Sequence, residues 1–410
     1  MLRSMFTAIS SLSLHQSFLD VVSDNLANAN SPGFKSSRVL FQDQFAQTMN
    51  SSSSPTGEFG GTNPVQIGLG VQLGYIAPVF TQGMLEGTGR NLDLAVQGDG
   101  FLIYKTTNGL RYSREGSLQI DSSGYIVNGA TGFRVQGWQL ENASNATIDT
   151  NQPIGDISIP LELTLARATS TVTFGGNLNS TTAVGADAYT TTVGVHDSLG
   201  DLHDLQIEFT RTGDSTWDWD VTTAGATGTT NGTITFDANG HAAAGSTYTN
   251  IQIPSSAGAT DPVVMGLDMT GVTMLANPYS VSVTTQDGLA AGSVSDIFIA
   301  PTTAEVYLLY SNGLKELRGQ IAVSKFTNPT GLMRDGHSMY QTGLNSGEPQ
   351  IGAANEGGRG ALVSGYKEAS NVDLAQEFTN MILAQRGFQA SSRVITTSDE
   401  MMLELVNLKR

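Results

Sequence analysis

The chain has 410 residues and a formal net charge of −17. This length predicts two to four domains with sizeable cores, and the negative charge argues against nucleic acid and anionic membranes as partners. The absence of cysteine excludes disulfides, thiolate metal sites and cysteine nucleophiles. No apolar run approaches the roughly 20 residues of a membrane span, so membrane insertion is not expected.

The first predicted element is an amphipathic helix within residues 1–30. Its apolar side chains recur at steps of three and four residues, the heptad spacing of helices that pack together. These positions are Met5, Ile9, Leu12, Leu19 and Leu26, with polar residues at the intervening rungs Gln16 and Ser23. Helix-ending residues follow at Asn28, Asn30, Pro32 and Gly33. Because His15 and Asp20 interrupt any continuous apolar run, we expect export without a cleaved signal peptide.

Residues 31–75 are predicted to be an extended linker. The run Ser51–Ser54, followed by proline and several glycines, indicates a flexible stretch. The short motif Gly68–Gly70 resembles part of a phosphate loop, but no Lys-Ser/Thr pair follows it, so we interpret it as a turn.

Short alternating segments separated by turns predict a β domain in two pieces of the chain. In residues 76–145, Leu92–Val96 alternates and precedes a glycine turn. Residues 285–367 return to this pattern, with a typical hairpin turn at Asn312–Gly313. We therefore predict one sandwich or barrel built from 76–145 and 285–367.

Residues 146–284, between these pieces, form a block of different composition. The block holds 14 Asp and Glu and two Arg, so 14 − 2 = 12 of the net negative charges lie here. Alternation continues at Leu205–Phe209 and Trp217–Val221. We predict a second all-β domain with an acidic, solvated surface, inserted into the first.

The last predicted element is a long helix from Asn371 to about Asn407. Its apolar rungs are Leu374, Phe378, Met381, Phe388, Ile395, Met402 and Val406, and its polar rungs are Gln385, Ser392 and Asp399. Ser370 and Asn371 are candidate N-caps, and Lys409 and Arg410 complement the helix dipole at the other end.

The terminal segments 1–30 and 368–410 are thus predicted to form a helical core domain. Two interpretations of its apolar faces remain open. The helices could pack on one core within the chain, or they could bundle with helices of other copies. In the second case each helix has little to pack on in the monomer, and we expect it to become ordered on assembly.

No arrangement of catalytic, metal-binding or cofactor-binding residues is evident. The five histidines are scattered, and there is no Gly-x-Ser-x-Gly motif. The acidic segment His196–Asp204 lacks the spacing of a calcium loop, so a β-turn with solvated carboxylates is favoured over a calcium or zinc site. We therefore predict that the chain is not an enzyme and uses no cofactor.

Motifs at both chain ends resemble the signatures of bacterial flagellar rod and hook proteins. Asn25–Lys35 resembles their N-terminal signature, and Glu368–Leu374 with Met381–Ala390 resembles the C-terminal one. The signature residues are Asn28, Asn30, Pro32, Gly33, Phe34, Asn371 and Asp373. Asp93–Phe101 resembles the first outer domain of these proteins, and Asp197–Leu205 resembles a segment of the hook members' second outer domain.

This resemblance implies a structural subunit of the extracellular flagellar hook. Such subunits polymerise into a curved, flexible tube that couples the rod to the filament as a universal joint. The terminal helices would form a coiled-coil-like inner layer, and two nested all-β domains would lie outside it. The apolar rungs of both helices would then be the assembly interface.

The resemblance also implies partners. These are further copies of the chain in a helical homopolymer, the distal rod, hook cap and hook–filament junction proteins, and the flagellar export apparatus. Two alternatives remain. A distal rod subunit would match both ends of the chain but would lack the middle segment, whereas a secreted glycan-binding or adhesin-like β-protein would explain the middle segment but not the paired terminal heptads.

Overall fold

The computed structural model describes residues 2–55, 57, 60–140, 147–160, 162–260 and 262–407. The fold is mainly β with one long helix near each end, which confirms the predicted fold class. Helix α1 spans Leu2–Ala27 and helix α2 spans Leu374–Asn407. The chain divides into two compact units. Unit 1 comprises Met1–Ile159, Ile297–Tyr307 and Leu317–Arg410, and unit 2 comprises Pro160–Asp296 and Leu308–Glu316.

The strands of the first part of unit 1 are β1 Ser37–Asp43, β2 Ala46–Asn50, β3 Val65–Gly68, β4 Val71–Pro78, β5 Leu85–Gly87, β6 Leu94–Gln97, β7 Phe101–Thr106, β8 Gly109–Ser113, β9 Leu118–Ile120, β10 Ile126–Asn128, β11 Arg134–Gln139 and β12 Gly155–Asp156. Unit 2 contains β13 Thr164–Arg167, β14 Thr171–Asn179, β15 Tyr189–His196, β16 Leu202–Arg211, β17 Thr216–Val221, β18 Thr227–Gly228, β19 Asn231–Thr235, β20 Thr247–Ile253, β21 Val263–Leu275 and β22 Ser282–Gln286. The chain passes between the units within β23 Leu289–Ile299, β24 Glu305–Tyr310 and β25 Lys315–Ile321. Unit 1 then continues with β26 Val323–Lys325, a 3-10 helix Pro329–Gly331, β27 Met333–Arg334, β28 Met339–Gln341, β29 Gln350–Gly352, β30 Ala361–Ser364 and β31 Tyr366–Glu368.

Antiparallel pairing in unit 1 joins strands from both parts of the chain. Strand β7 pairs with β8, β11 and β26, while β6 pairs with β30 and β5 pairs with β31. The core beneath them is aromatic, and Phe101, Tyr112, Phe326 and Tyr340 pack edge to face. These pairings bring the segment before α2 back beside the segment that follows α1.

The predicted linker 31–75 differs in the structure, because it contains paired strands. β1 pairs with β4 and β2 pairs with β3, both antiparallel. Backbone hydrogen bonds between residues 44 and 70, 45 and 69, and 53 and 62 connect these pairs. The result is a two-stranded ribbon in which residues 37–53 run beside 62–78. Sequence periodicity missed it because Gly and Ser interrupt the alternation.

Unit 2 is a β-sandwich. One sheet has the order β18-β20-β21-β14-β22, in which β14 and β21 are parallel, and the other has the order β15-β16-β17-β19. The predicted strand at Trp217–Val221 is β17, and its alternation places Trp217 and Trp219 in the core and Asp218 and Asp220 outside it.

The unit boundaries differ from the predicted 146 and 284. The described residues 147–159 belong to unit 1, because β12 pairs with β11 and Ile157 and Ile159 are buried there. Residues 285–296 belong to unit 2, where β23 pairs with β13. The further division of unit 1 into a helical core domain and a separate β domain stays a prediction.

The start of α2 also differs from the expected caps. Asp373 caps the helix, since its Oδ1 accepts hydrogen bonds from the backbone N–H groups of Ala375 at 2.9 Å and Gln376 at 3.1 Å. Asn371 instead binds other segments of unit 1. The predicted C-terminal charges Lys409 and Arg410 lie outside the described residues.

Candidate assembly interface

The two signature segments meet at a buried group of charged side chains. Glu368, from the segment before α2, accepts a hydrogen bond at Oε1 from Lys35 Nζ at 2.5 Å and one at Oε2 from Arg114 Nη1 at 3.4 Å. Its Oε1 also accepts the backbone N–H of Gly83 at 2.8 Å. The side chains of Lys35 and Glu368 are 0% exposed, and that of Arg114 is 3% exposed. This cluster ties the N-terminal signature to the C-terminal one.

The cluster carries two cations and one carboxylate, so Glu368 is the shared counterion of Lys35 and Arg114. Burial lowers the pKa of the Lys35 ammonium, and the charge and hydrogen bond of Glu368 act against that decrease. Lys35 Nζ also donates to the Thr81 carbonyl at 2.8 Å. Removal of Glu368 would leave two buried cations without a counterion.

Two asparagines, one near the end of α1 and one just before the start of α2, bind the backbone at the start of β1 and the end of β4. The amide of Asn25 accepts from Ser37 N–H and donates to Ser37 C=O, both at 2.8 Å. Asn371 Oδ1 accepts the Ser36 N–H at 2.7 Å, and its Nδ2 donates to the Val79 carbonyl at 2.8 Å. These contacts hold the ends of both helices against β1 and β4.

The remaining N-terminal signature residues build a turn. Gly33 has φ of +67°, and its N–H donates to the Glu368 carbonyl at 2.8 Å. Asn28 Nδ2 donates to the Asp24 backbone oxygen at 2.9 Å. Phe34 is buried beneath the Arg334 guanidinium, which is 4.9 Å from the ring centroid. Asn30 is exposed and Pro32 is half-buried.

The terminal helices pack together within one chain through small and polar side chains. Ser11 Oγ and Ser391 Oγ are 2.9 Å apart, and Asn25 Nδ2 donates to Glu377 Oε1 at 3.2 Å. Gly387 lies directly against the His15 ring, leaving no room for a side chain. We call this contact between α1 and α2 the helix seam. The expectation that each helix has little to pack on in the monomer is therefore wrong where the two helices meet.

The buried face of each helix is rotated from the predicted ladder. α2 buries Ala384, Ser391 and Ser398, each one residue before a polar rung. α1 buries Ala8, Leu14, Val22 and Asn25, and all of these except Leu14 lie one residue before a rung, namely rungs 9, 23 and 26. A shift of one residue along a helix corresponds to about 100° of rotation. The apolar pattern does not register the buried face of α2, because close approach of the two helices selects small side chains there.

The predicted interface side chains lie at the margin of this seam or outside it. Four are exposed, namely Ile9 (45%), Leu374 (47%), Phe378 (51%) and Val406 (68%). The half-buried ones are Met5, Leu12, Leu19, Leu26, Met381, Phe388, Ile395 and Met402. Their role in assembly stays a prediction.

The acidic segment of unit 2 contains the predicted turn, and Asp201 and Asp204 are exposed as expected, but the carboxylate of Asp197 is buried. Asp197 Oδ1 accepts the N–H groups of Leu199 and Asp201, and Oδ2 accepts from His203 Nε2 at 3.0 Å and Ser256 N at 3.1 Å. Burial alone would raise the pKa of Asp197, but these hydrogen bonds outweigh it and hold the pKa well below its usual range. Within the described part of the chain, no three His, Cys, Asp or Glu side chains are grouped to hold a metal ion.

Lys35, Arg114, Glu368 and Arg334 were not predicted as site residues. Lys35 and Glu368 lie inside the signature motifs, so the motifs themselves were the available signal. Nothing in the local pattern indicated Arg114, which directly follows β8, or Arg334, which ends β27. No helix in the described ranges has the length and apolar character needed to cross a membrane.

Four family models match consecutive parts of the chain. They are the flagella basal body rod protein over residues 5–35, the flagellar hook protein FlgE/F/G D1 domain over 95–177, the flagellar basal body protein FlaE D2 domain over 177–289, and the flagellar basal body rod FlgEFG protein C-terminal domain over 363–408. Together they define the class of rod and hook proteins of the flagellum.

Relatives match over the full length. The flagellar hook protein FlgE of Borreliella burgdorferi is 34% identical and is covered over 100% of both chains, and that of Escherichia coli is 33% identical over 98% of this chain and 99% of its own. The basal-body rod protein FlgG of Bacillus subtilis is 31% identical over 100% of both. The Helicobacter pylori hook protein FlgE2 crystal structure aligns with a TM-score of 0.48 at 15% identity, over 69% of this chain and 100% of its own.

The chain belongs to the flagellar hook protein family. This confirms the resemblance inferred from the terminal motifs, and it places the protein in the flagellar hook. The family is a structural one and not a family of enzymes. The match to a rod-named relative over its whole length corrects one argument, because the middle segment alone does not separate hook from rod.

Proposed function

We propose that this chain polymerises through its paired terminal helices into the curved, flexible tube that couples the rod to the filament as a universal joint. One observation carries the proposal: α2 buries only the small side chains of Ala384, Ser391 and Ser398 within the chain, while large apolar side chains of both helices are exposed. Phe378, Ile382 and Leu383 are between 51% and 60% exposed on α2, and Phe6 is 64% exposed on α1.

Exposed apolar side chains in this number give a polymer its driving force. Covering one such side chain fully contributes about 1.5–3 kcal/mol, so a few per subunit offset the entropy lost on association. Because the helices already contact each other within one chain and large apolar side chains of both remain exposed, the pair, and not each helix, is the unit that assembles.

Partners and export are inferred from membership of the family. We infer contacts with further copies, with distal rod, hook cap and hook–filament junction proteins, and with the flagellar export apparatus. Cleavage within α1 during export is not expected, because it would remove half of the helix pair and its contact between Ser11 and Ser391. No catalytic activity is part of this proposal.

The test is polymerisation of the purified chain, followed by sedimentation and electron microscopy. Phe388→Asp and Leu12→Asp are expected to abolish tubes, since a buried unpaired charge is costly at an interface. Near-ultraviolet circular dichroism should show that the β units of both variants remain folded. Normal tubes from either variant would contradict the helix-based interface.

A distal rod subunit is the second candidate, favoured by the full-length similarity to the Bacillus subtilis rod protein. The images separate the two, because a hook subunit forms curved tubes whose bend can vary and a rod subunit forms straight ones.

A further inference from the structure

One side chain of the β strands, Arg334 at the end of β27, contacts three parts of the N-terminal segment. Its Nη1 lies 3.2 Å from Asp24 Oδ2 in the last turn of α1, and its Nη2 donates to the Lys35 carbonyl. Its guanidinium also lies 4.9 Å from the Phe34 ring centroid. The planar, forked guanidinium makes these contacts together, which an ammonium cannot do.

Open space lies on both sides of this ion pair. A cavity of about 320 Å³ lies between residues 24–34 and the hairpin that joins β27 to β28. A second cavity, of about 380 Å³, lies between α1, the base of the ribbon and Leu332. The two cavities share two lining residues, Asp24 and Arg334. The ion pair therefore crosses space that the neighbouring side chains leave open.

The hairpin between β27 and β28 is held in a strained backbone conformation. Residues 336–338 have φ values of +78°, +50° and +55°, in the left-handed region that glycine alone adopts without cost. Such strain persists only where the surroundings enforce it. Here Ser113 Oγ donates to the Ser338 carbonyl at 2.8 Å, and Arg111 forms an ion pair with Asp335. The strand end that carries the guanidinium is thus firmly placed.

The direction in which α1 leaves this contact sets the position of its far end. At 1.5 Å per residue the 26 residues of Leu2–Ala27 are about 39 Å long. A tilt of about 10° at Asp24 would move the N-terminal end of the helix by about 6 Å. Because α1 is joined to α2 at the helix seam, such a tilt would move both helices.

The ribbon also contacts α1 but is a poor support for this angle. The Phe41 ring packs on Phe18 with a centroid distance of 5.6 Å. A two-stranded ribbon is at best marginally stable by itself. The firm end of the hairpin therefore fixes the angle better than the ribbon does.

We propose that Arg334 is a positioning residue, which sets the angle at which the helix pair leaves the β strands of unit 1 and thereby the curvature of the polymer. The part that concerns curvature rests on the proposed function. The side chains of Arg334 and Asp24 are 34% and 50% exposed, so their ion pair adds little stability. Its contribution is a fixed distance between α1 and β27, and its loss frees the tilt of α1 without unfolding the chain.

Distances between two spin labels test this in the single chain, because the chain has no cysteine of its own. The labels are attached to Ser13→Cys on α1 and Asn108→Cys in the turn between β7 and β8, two exposed positions of unit 1. Electron–electron double resonance gives the distribution of the distance between them. We expect Arg334→Met to broaden this distribution about twofold or more. Arg334→Lys should broaden it less, since it keeps the charge but not the planar fork.

Lys367→Met is the matched control. It removes an ion pair of similar exposure, since the side chains of Lys367 and Glu86 are 36% and 50% exposed and 3.3 Å apart, and this pair does not involve α1. The control should leave the distance distribution unchanged. Asp24→Asn is a second variant, which keeps the contact of Arg334 with the Lys35 carbonyl and should broaden the distribution less than Arg334→Met does.

Near-ultraviolet circular dichroism identifies the variants that are folded, and Asp24→Asn decides if Arg334→Met is not. Equal widths in the folded variants and the unaltered chain would overturn the proposal. In electron micrographs, tubes of Asp24→Asn should differ in curvature from those of Lys367→Met, and equal curvature would refute the link to the polymer. If the unaltered chain forms no tubes, the proposed function fails, whereas the label distances still decide the role of Arg334.

Discussion

Substitution of Glu368 should destabilise unit 1 more than substitution of any other member of its ion cluster. Glu368→Gln keeps an acceptor for the Gly83 N–H but leaves Lys35 and Arg114 buried without a counterion. Removing one partner of a buried ion pair costs about 3–5 kcal/mol. Lys35→Met should cost less, about 2–3 kcal/mol, because Glu368 keeps its hydrogen bonds from Arg114 and Gly83, and the Thr81 carbonyl loses only one of its two donors.

Urea unfolding followed by circular dichroism at 222 nm measures these free energies, because both described helices belong to unit 1. Lys367→Met is the matched control. It removes the neighbouring exposed pair with Glu86, whose Nζ–Oε2 distance is 3.3 Å, and should cost about 0–1 kcal/mol. If Glu368→Gln lies within about 1 kcal/mol of the control, or if Lys35→Met costs more than Glu368→Gln, the cluster does not hold the chain ends together as argued.

Three further outcomes are expected. The folded pKa of Asp197 lies below its unfolded value of about 3.9, so its contribution to the free energy of unfolding is present above that pH and is lost as pH falls below it. The free energy of unfolding of Asp197→Asn, followed by fluorescence, should therefore depend less on pH between about 4 and 2 than that of the unaltered chain. An equal pH dependence of the two would contradict this. Gly387→Val should overlap with the ring of His15, which costs about 1–3 kcal/mol of stability and lowers the melting temperature of the helical signal. Adding His15→Ala to this variant should restore the melting temperature. No restoration would exclude that overlap as the cause. Deletion of 171–286, whose flanking Ser170 and Asp287 are hydrogen-bonded at 2.8 Å, should leave polymerisation intact but change tube curvature, and loss of all tubes would show that unit 2 is required for assembly.

Elements with strong local patterns were predictable from the sequence. Heptad spacing gave both terminal helices, and alternation gave strands such as β17, because side-chain period follows directly from backbone geometry. The ribbon was missed because Gly and Ser residues interrupt the alternation along its strands. The cap of α2 was misassigned because the Asn371 amide binds Ser36 and Val79, which only the folded chain brings near.

Some residues of the candidate site could be predicted from the sequence, but the contacts between them could not. The motifs contained Lys35 and Glu368, yet these residues are 333 positions apart, and no local rule pairs them. The observed contact face of α2 differs by one residue from the predicted one. Small side chains such as Ser391 and Ala384 allow the helices to approach closely, whereas the apolar pattern follows Phe378 and other side chains that face outward. The pattern therefore marked the margin and the outer surface of the helix pair.

Hydroxyl-radical footprinting of monomer and polymer tests the central claim most directly. Phe378 and Met401 on α2 are 51% and 48% exposed in the single chain, and both side chains react readily with the radical. If the outward faces of the helix pair form the assembly interface, oxidation of both should fall severalfold in the polymer, while that of Leu202 in unit 2, 63% exposed, should fall less. Equal oxidation of Phe378 and Met401 in monomer and polymer would mean that these faces stay open to water, and the helix-based assembly would be wrong.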